Sequence, residues 1–381
     1  MFKKILRMLF IVSFCSIIGI PLITTNFQQD KVSESENRKL TAMPKLHNDD
    51  GSLNENFTSD LESWINDNIG LRSQMVIANA KIQFYGFNVL ANNSDMLLGP
   101  NQELNYATND IIADYQHEDL KTQDKLNQIA SSYQRVSDYL EQRGIQFYYF
   151  QCWDKQSIYP EYFPKTVKQF GDVSKTDQII ATLKTRTTVD VISSKELLID
   201  AKKEYDTYSV WGDPTHWTQR GAYLGYRMLM EEINAKNQNK YKILSANDYN
   251  IEITDQGYTV FGGIHKKDML EDFEVKDPQA YLSDEEPRFL SEWANKSRTI
   301  YYNDKVDNND TLLILGDSYF DNFLYDDFAE SFHRVVFIWG DYAEKLEQLV
   351  DYYQPSIVIN ENAERCDRTE VMISASYKLS E

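Results

Sequence analysis

The chain has 381 residues, 42% of them hydrophobic and 13% aromatic, which is enough to bury at least one large core and excludes a disordered or low-complexity protein. Its 59 acidic and 39 basic residues leave a formal charge of -20, which repels nucleic-acid phosphates and anionic lipid surfaces. We therefore expect no nucleic-acid partner.

The N-terminus predicts a membrane anchor over residues 1–29. A basic start precedes an uncharged, mostly apolar stretch from Met8 to Gln29, and roughly twenty such residues suffice to cross a bilayer as a helix. The positive flank places the chain from Asp30 onward outside the cytoplasm. A cleaved signal peptide is the alternative, but no small-x-small cleavage site follows the apolar run.

Residues 30–85 are predicted to form a polar tether followed by a helical hairpin. The first half is rich in Ser, Asn and Asp, and apolar side chains then recur at helical spacing on both sides of Gly70. The turn sequence from Asn92 to Asp95 separates the apolar runs Val89-Leu90 and Met96-Leu97-Leu98. This arrangement predicts a β-hairpin that opens the main domain.

Residues 86–381 are predicted to form one α/β domain. Short apolar runs alternate with helices of ten or more residues, which is the pattern of a parallel, doubly wound sheet. A charged stretch at about 237–309 breaks this rhythm and is predicted to be an insertion. The predicted strands are Ile145–Phe150, Val189–Ile192, Leu312–Leu315, Val335–Ile338 and Ile357–Ile359, and the predicted helices are Thr122–Arg143, Lys175–Arg186, Thr218–Ile233, Asp321–Phe332 and Ala343–Tyr353.

Two short motifs about a hundred residues apart carry the predicted chemistry. The first is Asp213-x-x-His216, and the second is Gly316-Asp317-Ser318 directly after an apolar run. A serine at a sharp strand-to-helix turn stands above the sheet, and a histidine oriented by a carboxylate takes its proton during attack on an acyl carbon. We therefore predict Ser318 as nucleophile, His216 as general base and Asp213 as the orienting acid.

The ends of three successive strands predict an oxyanion hole. Ligands bind outside the carboxyl ends of the strands in a doubly wound sheet. The backbone of Ser318, the backbone of Gly340 and the side-chain amide of either Asn360 or Asn362 fall at such ends. Each donor of this kind is worth about a hundredfold to a thousandfold in rate.

Three further residues are predicted to border the substrate. Trp217 follows the predicted base, and an aromatic face packs well against a sugar ring. Asp154 and Lys155 follow another predicted strand. The histidines and cysteines are scattered, so we predict no metal site and no cofactor. Outside the anchor, Cys152 and Cys366 are either a disulfide or two buried thiols.

These motifs, with the glycine and asparagine at the next two strand ends, resemble the signature blocks of the SGNH hydrolases. In the usual members the serine block comes first. Here the histidine block precedes it, an order similar to the circularly permuted branch of alginate-type O-acetylation proteins and DHHW proteins. The likeness extends along nearly the whole chain, through Glu36–Leu40, Trp64–Asn68, Asp154-Lys155, His216-Trp217 and Glu361 with Glu364-Arg365.

The resemblance implies a flavodoxin-like, SGNH-hydrolase-like α/β fold that is circularly permuted, in a membrane-anchored extracytoplasmic protein. It implies acetyl transfer to an extracellular or cell-wall polysaccharide through an acetyl-serine on Ser318, with a multispanning membrane acyltransferase as the partner that delivers the acetyl group. Hydrolysis instead of transfer would make the protein a polysaccharide O-acetyl esterase. If the site were degenerate, the protein would be a non-catalytic glycan-binding assembly subunit. In many alginate-type members the acid lies two residues before the histidine, whereas Asp213 lies three before His216.

Overall fold

The computed structural model describes residues 2–25, 27, 32–33, 38–92, 95–284, 298–321 and 324–380. The chain divides into two compact units. One contains Met1–Asn93 with Thr259–Ile264, and the other contains Ser94–Tyr258 with His265–Glu381.

The described residues contain helices and strands throughout both units. The strands are β1 (Val32–Ser33), β2 (Arg38–Lys39), β3 (Met96–Leu98), β4 (Leu104–Tyr106), β5 (Gln146–Cys152), β6 (Asp190–Ser193), β7 (Tyr249–Val260), β8 (Ile264–Val275), β9 (Tyr281–Leu282), β10 (Arg298–Tyr302), β11 (Thr311–Gly316), β12 (Arg334–Trp339) and β13 (Ile357–Ala363). The α-helices are Phe2–Ile23, Phe57–Asn68, Arg72–Phe87, Asn109–Gln116, Gln123–Glu141, Lys155–Ile158, Lys175–Arg186, Lys195–Ala201, Gln219–Lys236, Ser318–Asp321, Tyr325–Ala329, Leu346–Tyr353 and Thr369–Lys378. Short 3₁₀ helices are Pro160–Tyr162, Ala246–Asp248, Gly340–Lys345 and Glu364–Cys366.

A seven-stranded sheet in the order β6-β5-β13-β11-β12-β10-β9 organises the larger unit. Strands β6, β5, β13, β11 and β12 are parallel to one another. The predicted SGNH-like α/β fold is confirmed. The sheet is mixed rather than wholly parallel, because β10 and β9 add antiparallel to the edge at β12. Both come from the predicted insertion.

Helices cover both faces of this sheet, and each face has its own apolar core. Alternate residues of a strand point to opposite faces. In β11, Leu312 and Ile314 join the core that contains the helix Gln219–Lys236. Leu313 and Leu315 join the core that contains the helix Gln123–Glu141. Every residue of β11 is buried, as expected for a strand between two helical layers.

Most periodic elements form close to where the sequence predicts them, but in place of the predicted helix Asp321–Phe332 the described residues form the shorter helix Tyr325–Ala329. The helix Lys175–Arg186 has the predicted bounds and begins with a capping box between Ser174 and Asp177. Thr218 caps the helix Gln219–Lys236, because its side chain accepts a hydrogen bond from the Gly221 N–H at 3.2 Å. Such a cap is typically worth about 1 kcal/mol.

The predicted β-hairpin at the start of the main domain is wrong in its first strand. Met96–Leu98 pairs antiparallel with Leu104–Tyr106 instead of with Val89-Leu90. The intervening turn includes Gln102 at a φ of 69°, in the left-handed region. The two central residues of the predicted turn, Asn93 and Ser94, lie outside the described residues.

The N-terminal unit contains one helix that is long and apolar enough to cross a membrane, Lys3–Ile23. The helices Phe57–Asn68 and Arg72–Phe87 follow it, within the stretch predicted to be a helical hairpin. Part of the predicted tether and of the Glu36–Leu40 segment lies outside the described residues.

In the larger unit, the inserted segment provides the paired strands β7 and β8 as well as the sheet edge.

Candidate active site

The turn that carries Ser318 lies at the carboxyl end of β11. The strand ends at Gly316, and a short helix begins at Ser318. The Asp317 N–H donates to Glu361 Oε2 at 2.7 Å, across the neighbouring strand β13. A Cβ at Gly316 would lie 2.8 Å from the same oxygen, so only glycine permits this approach.

The Asp317 side chain fixes the turn from below. It is fully buried, and its carboxylate accepts from the Tyr319 N–H at 3.0 Å and from the Ala363 N–H at 2.9 Å. The Arg368 guanidinium donates to the same carboxylate at 2.7 Å. This buried ion pair therefore ties β11, β13 and the C-terminal region together beneath Ser318.

His216 lies on a loop that is closed at its base. Tyr208 and Trp217 form a β-bridge, and the Thr218 N–H donates to the Thr207 carbonyl at 3.0 Å. Near the tip, Asp268 of β8 accepts from two backbone N–H groups of the loop, at residues 211 and 212. The inserted hairpin thus helps to hold the loop in place.

Asp213, His216 and Ser318 form a continuous hydrogen-bonded series. His216 Nδ1 lies 2.7 Å from Asp213 Oδ2, and His216 Nε2 lies 2.8 Å from Ser318 Oγ. The histidine side chain is 12% exposed and the aspartate side chain 38%. The geometry is that of a nucleophile, a base and an orienting acid within hydrogen-bond reach.

The Asp213 carboxylate is held ionised. Burial acts to raise its pKa, but hydrogen bonds from His216 and Thr215 and the attraction of a His216 cation outweigh burial and leave the pKa well below the usual aspartate value. Asp213 Oδ1 accepts from both the Thr215 N–H, at 2.7 Å, and the Thr215 hydroxyl. The carboxylate can therefore stabilise a protonated imidazole during the reaction.

Three further side chains, Tyr319, Asp154 and Arg365, form a hydrogen-bonded group that contacts the loop carrying His216. The Tyr319 hydroxyl lies 3.0 Å from both the Thr215 carbonyl and Asp154 Oδ1. Arg365 forms an ion pair with the same Asp154 oxygen and donates to the Thr215 carbonyl at 3.2 Å. Because Tyr319 directly follows Ser318, this contact couples the position of the nucleophile to that of the base.

The three residues predicted to border the substrate are buried. Trp217 and Lys155 are each 1% exposed and Asp154 is 3% exposed. The Trp217 indole N–H donates to the Tyr319 carbonyl at 3.2 Å, and Lys155 Nζ donates to the Leu104 carbonyl at 2.6 Å. Burial lowers the pKa of Lys155 to about 8. These side chains make structural contacts and offer no exposed surface to a substrate. The prediction that they border the substrate is therefore corrected for all three.

Two of the predicted oxyanion donors are backbone N–H groups, at Ser318 and Gly340. The Ser318 N–H makes no hydrogen bond to another described residue, which leaves it available to an oxyanion. A Cβ at Gly340 would lie 2.8 Å from Arg368 Cδ, so close packing by itself explains this glycine. The role of the Gly340 N–H remains a prediction.

Both predicted asparagines lie in β13. Asn360 Oδ1 accepts from the Tyr133 hydroxyl at 2.8 Å and from the Asn362 amide at 3.1 Å, on the face covered by the helix Gln123–Glu141. Glu361 lies between them in β13, and its side chain points to the other face, where it accepts from the Asp317 N–H. The buried Asn360 amide nitrogen has no hydrogen-bond partner among the described residues. The oxyanion role of either asparagine remains a prediction.

Both cysteines outside the anchor are free thiols. Cys152 is fully buried beside Glu361 and Cys366 is partly buried, and burial raises the pKa of each thiol. Among the described residues, no group of His, Cys, Asp and Glu has the arrangement of a metal site.

A cavity of about 360 Å³ is lined by residues that follow the triad residues in the chain, but not by Asp213, His216 or Ser318 themselves. Its wall includes Asp321, which follows Ser318 by three residues in the same short helix. Side chains at this spacing lie on one face of a helix, with Cβ atoms about 5–6 Å apart. The cavity is lined by aromatic residues and carboxyl groups, among them Tyr223, Tyr249, Phe273, Tyr301, Glu274, Asp321, Asp326, Asp327 and Glu330.

Sequence reasoning missed several residues that position the site. Arg368, Tyr319 and Asp268 were not singled out, although Tyr319 directly follows the predicted nucleophile. Glu361 and Arg365 appeared only within the family resemblance. Adjacency to Ser318 was the available signal for Tyr319, whereas the contacts of Arg368 and Asp268 depend on residues distant in the chain.

Comparison with known proteins agrees with this architecture. Residues 113–280 match the family model for the SGNH hydrolase-like domain of acetyltransferase AlgX, which confirms the predicted resemblance. The match includes Asp213 and His216 and ends before Ser318. The sequence has no significant match among curated proteins.

Two solved structures are similar to the chain in fold. PatB1 of Bacillus cereus is 16% identical, with a TM-score of 0.51, over 71% of this chain and 96% of that protein. A DHHW family protein of Eubacterium siraeum is 14% identical, with a TM-score of 0.50, over 74% of this chain and 96% of that protein. Both likenesses concern the fold.

Proposed function

We propose that this chain, whose residues 113–280 match the SGNH hydrolase-like domain of an acetyltransferase, is an O-acetyltransferase for an extracellular or cell-wall polysaccharide. The observation that carries the proposal is the series Asp213–His216–Ser318, with contacts of 2.7 and 2.8 Å. Ser318 is the nucleophile, His216 the general base and Asp213 the orienting acid.

In the first half-reaction, Ser318 Oγ attacks the carbonyl carbon of an acetyl ester while His216 Nε2 takes the hydroxyl proton. The tetrahedral intermediate collapses, and the donor alcohol leaves with the proton from His216. The product is an acetyl ester on Ser318. Asp213 stabilises the imidazolium that forms in between, and the Ser318 N–H faces the developing oxyanion.

In the second half-reaction, a glycan hydroxyl takes the place of the donor alcohol. His216 removes its proton as the oxygen attacks the acetyl carbon, and the same proton then returns to Ser318 Oγ as the ester bond to serine breaks. Water in place of the glycan hydroxyl would give acetate, which is the esterase alternative. The choice between them depends on whether a sugar occupies the space beside Ser318.

We assign the cavity whose wall includes Asp321 to the acceptor glycan, and an acceptor held there would favour transfer. Its volume of about 360 Å³ falls within the range of about 300–1,000 Å³ that is usual for small-molecule sites. Tyr223 and Phe273, whose rings stack with centroids 5.2 Å apart, form an aromatic part of its wall. A sugar can pack its apolar face against such a wall, and carboxylates accept hydrogen bonds from its hydroxyl groups. The several carboxyl groups repel an anionic sugar, so the preferred acceptor is neutral or cationic.

The N-terminal helix supplies the proposed location. It is long and apolar enough to span a membrane, and its basic start favours a cytoplasmic N-terminus. The catalytic unit then lies outside the cytoplasm, where the polysaccharide acceptor is found. The acetyl donor has to reach this compartment, and a multispanning membrane acyltransferase is the proposed partner that delivers it.

The nucleophile can be tested by replacing Ser318 with alanine. With an aryl acetate as donor and a neutral oligosaccharide as acceptor, we expect the unaltered chain to give an initial burst, an acetyl group on Ser318 and an acetylated glycan. Ser318→Ala removes all three. Acetate release without an acetylated glycan would support the esterase, and the absence of burst and label from the unaltered chain would support a non-catalytic subunit.

The acceptor cavity can be tested by Tyr223→Ala. We expect the acetyl-Ser318 burst to persist, because the cavity does not touch the reacting atoms of the first half-reaction. Transfer to a neutral oligosaccharide should fall severalfold through a higher acceptor KM. Tyr226→Ala, at a buried tyrosine of the same helix outside the cavity lining, is the control for the loss of a buried ring. An unchanged acceptor KM in Tyr223→Ala would contradict the assignment.

A further inference from the structure

The helix Arg72–Phe87 is apolar on two opposite faces. One face is buried in the N-terminal unit through Ala80 and Phe84, which are 1% and 0% exposed. Met75 and Ile82 lie about half a turn away from that face at 100° per residue, and they are 41% and 59% exposed. A surface helix normally carries polar residues opposite its buried face, so this one requires another explanation.

The exposed apolar surface continues toward the C-terminal end of the helix. Tyr85 and Phe87 are 66% and 72% exposed, and Val89, just beyond the helix, is 50% exposed. Tyr85 lies within about 80° of Met75 and Ile82 around the helix, whereas Phe87 lies in line with Ala80. We call Met75, Ile82 and Tyr85, which share one side of the helix, the exposed stripe. Large apolar patches on a protein surface mark contacts with other proteins or with membranes.

The charge of this segment differs from that of the rest of the chain. No acidic residue occurs between Asp67 and Asp95, and the segment contains the basic residues Arg72 and Lys81. The chain as a whole carries a formal charge of -20. Basic residues beside an apolar and aromatic face are typical of helices that lie in the interface of an anionic bilayer.

The hairpin that contains this helix is attached to the end of the N-terminal apolar helix. The Gly70 N–H donates to the Pro21 carbonyl at 3.0 Å. A Cβ at Gly70 would lie 1.9 Å from Thr24 Oγ1, so the glycine permits this close contact. The rings of Phe27 and Trp64 have centroids 5.6 Å apart. The hairpin therefore begins where a membrane-spanning helix would leave the hydrocarbon.

We propose that the exposed stripe lies in the outer interface of the bilayer, with phospholipids as its occupant. The proposal rests on the membrane anchor assigned under the proposed function. The direct attachment to the anchor and the local positive charge favour lipid over a protein partner. The hairpin is then a membrane-bound base for the enzyme, with Arg72 and Lys81 near anionic headgroups and Ile82 among the acyl chains.

Nitroxide labels on the full chain test this proposal. In a Cys15→Ser, Cys366→Ala background, Cys152 stays buried, and a single cysteine is introduced as Ile82→Cys or, as the control, as Glu62→Cys on the exposed polar side of the preceding helix. The chain is reconstituted into vesicles of phosphatidylglycerol and phosphatidylcholine. We expect the label at position 82 to collide with a water-soluble nickel chelate severalfold less often than the label at 62, and with oxygen more often.

The outcomes separate this inference from the proposals on which it rests. A separate Cys366→Ala chain, which keeps native Cys15, is labelled at Cys15 to report on the anchor. If that label is exposed to the nickel chelate, the anchor is wrong and the inference falls with it. If Cys15 is protected but position 82 is as accessible as position 62, the inference alone is overturned. Protection of position 82 only when an integral membrane acyltransferase is added would also overturn it, in favour of a protein partner. Acetyl transfer by Ser318 is tested independently of these labels.

Discussion

At the residue scale, Asp213 accepts from both His216 and Thr215. One carboxylate oxygen orients the imidazole through Nδ1, and the other holds the Thr215 backbone and hydroxyl. The acid therefore fixes both the tautomer of the base and the shape of the loop that presents it. Its position three residues before the histidine suits this double contact, because the loop from 213 to 216 turns back on itself.

Asp213→Asn tests this role. The amide can donate to Nδ1 and so favours the tautomer that cannot accept the Ser318 proton, and we expect kcat to fall by roughly a hundredfold to ten-thousandfold. Because folding lowers the pKa of Asp213, its contribution to stability is present above the pKa of an unfolded aspartate, about 3.9, and is lost as the pH falls through the lower folded value.

The loss of this stabilisation in acid can be measured through the melting temperature. The difference in Tm between the unaltered chain and Asp213→Asn should be largest at neutral pH and should shrink in acid. Thr215→Val is the control. It removes a hydroxyl that contacts Asp213 and lies 2.8 Å from His216 Nδ1, but it leaves the Asp213 carboxylate on His216. Equal kcat in Asp213→Asn and the unaltered chain would contradict the orienting role.

At the element scale, the strand-to-helix turn depends on buried charges at the ends of β11 and β13. Asp317 receives two backbone N–H groups and the Arg368 guanidinium, while Glu361 accepts the Asp317 N–H. Burial, and the charge of the neighbouring Asp317, raise the pKa of Glu361 well above the usual glutamate value. A neutral Glu361 can lie beneath an ionised Asp317, whose charge Arg368 balances.

Arg368→Met tests this arrangement. It leaves the buried Asp317 carboxylate without its cation, and breaking a buried pair in this way costs about 3–5 kcal/mol. We expect a lower free energy of unfolding and a lower kcat, measured by denaturant titration and by the acetyl-transfer assay.

A matched control is available in a second ion pair of Arg368. Arg368 also contacts Asp341, whose side chain is 56% exposed. Asp341→Asn should change the free energy of unfolding by about 0.5 kcal/mol or less, as is usual for an exposed pair. The double variant Asp317→Asn, Arg368→Met should be more stable than Arg368→Met alone. If both single variants had equal effects, the buried pair would not support the turn.

At the scale of the whole molecule, the chain combines a compact α/β unit with an N-terminal unit of different character. The larger unit carries the triad, the cavity and the inserted β7–β8 hairpin. The N-terminal unit carries the apolar helix Phe2–Ile23 and the attached helical hairpin. In the proposed function, one unit performs acyl transfer and the other holds it at the membrane.

The anchor can be checked in cells that express the full chain. We expect the protein to remain in the membrane fraction after alkaline carbonate extraction and to be degraded by protease added to spheroplasts. The mass of the purified protein separates the anchor from the signal peptide. An intact N-terminus supports an anchor, whereas a mature chain that begins near Asp30 would contradict it.

Much of the fold was predictable from the sequence. The predicted apolar runs and helices, such as Lys175–Arg186 with its Ser174 cap, form where local pattern and capping residues indicate. Local pattern reflects contacts between residues that are close in sequence, so it does not depend on partners from distant parts of the chain. The edge strands β9 and β10 and the pairing of β3 with β4 were missed because strand pairing depends on partners that local sequence does not specify.

The sequence by itself determined which residue types form the triad, because Asp213-x-x-His216 and Gly316-Asp317-Ser318 place them on a loop and on a strand end. Only the tertiary structure brought Ser318 Oγ to 2.8 Å from His216 Nε2. It also decided that Glu361, not Asn360 or Asn362, lies beneath the turn, and that Trp217 is buried. The physical reason is that alternate residues of a strand face opposite sides of the sheet, so the register of β13 against β11 selects which side chain reaches the Asp317 N–H.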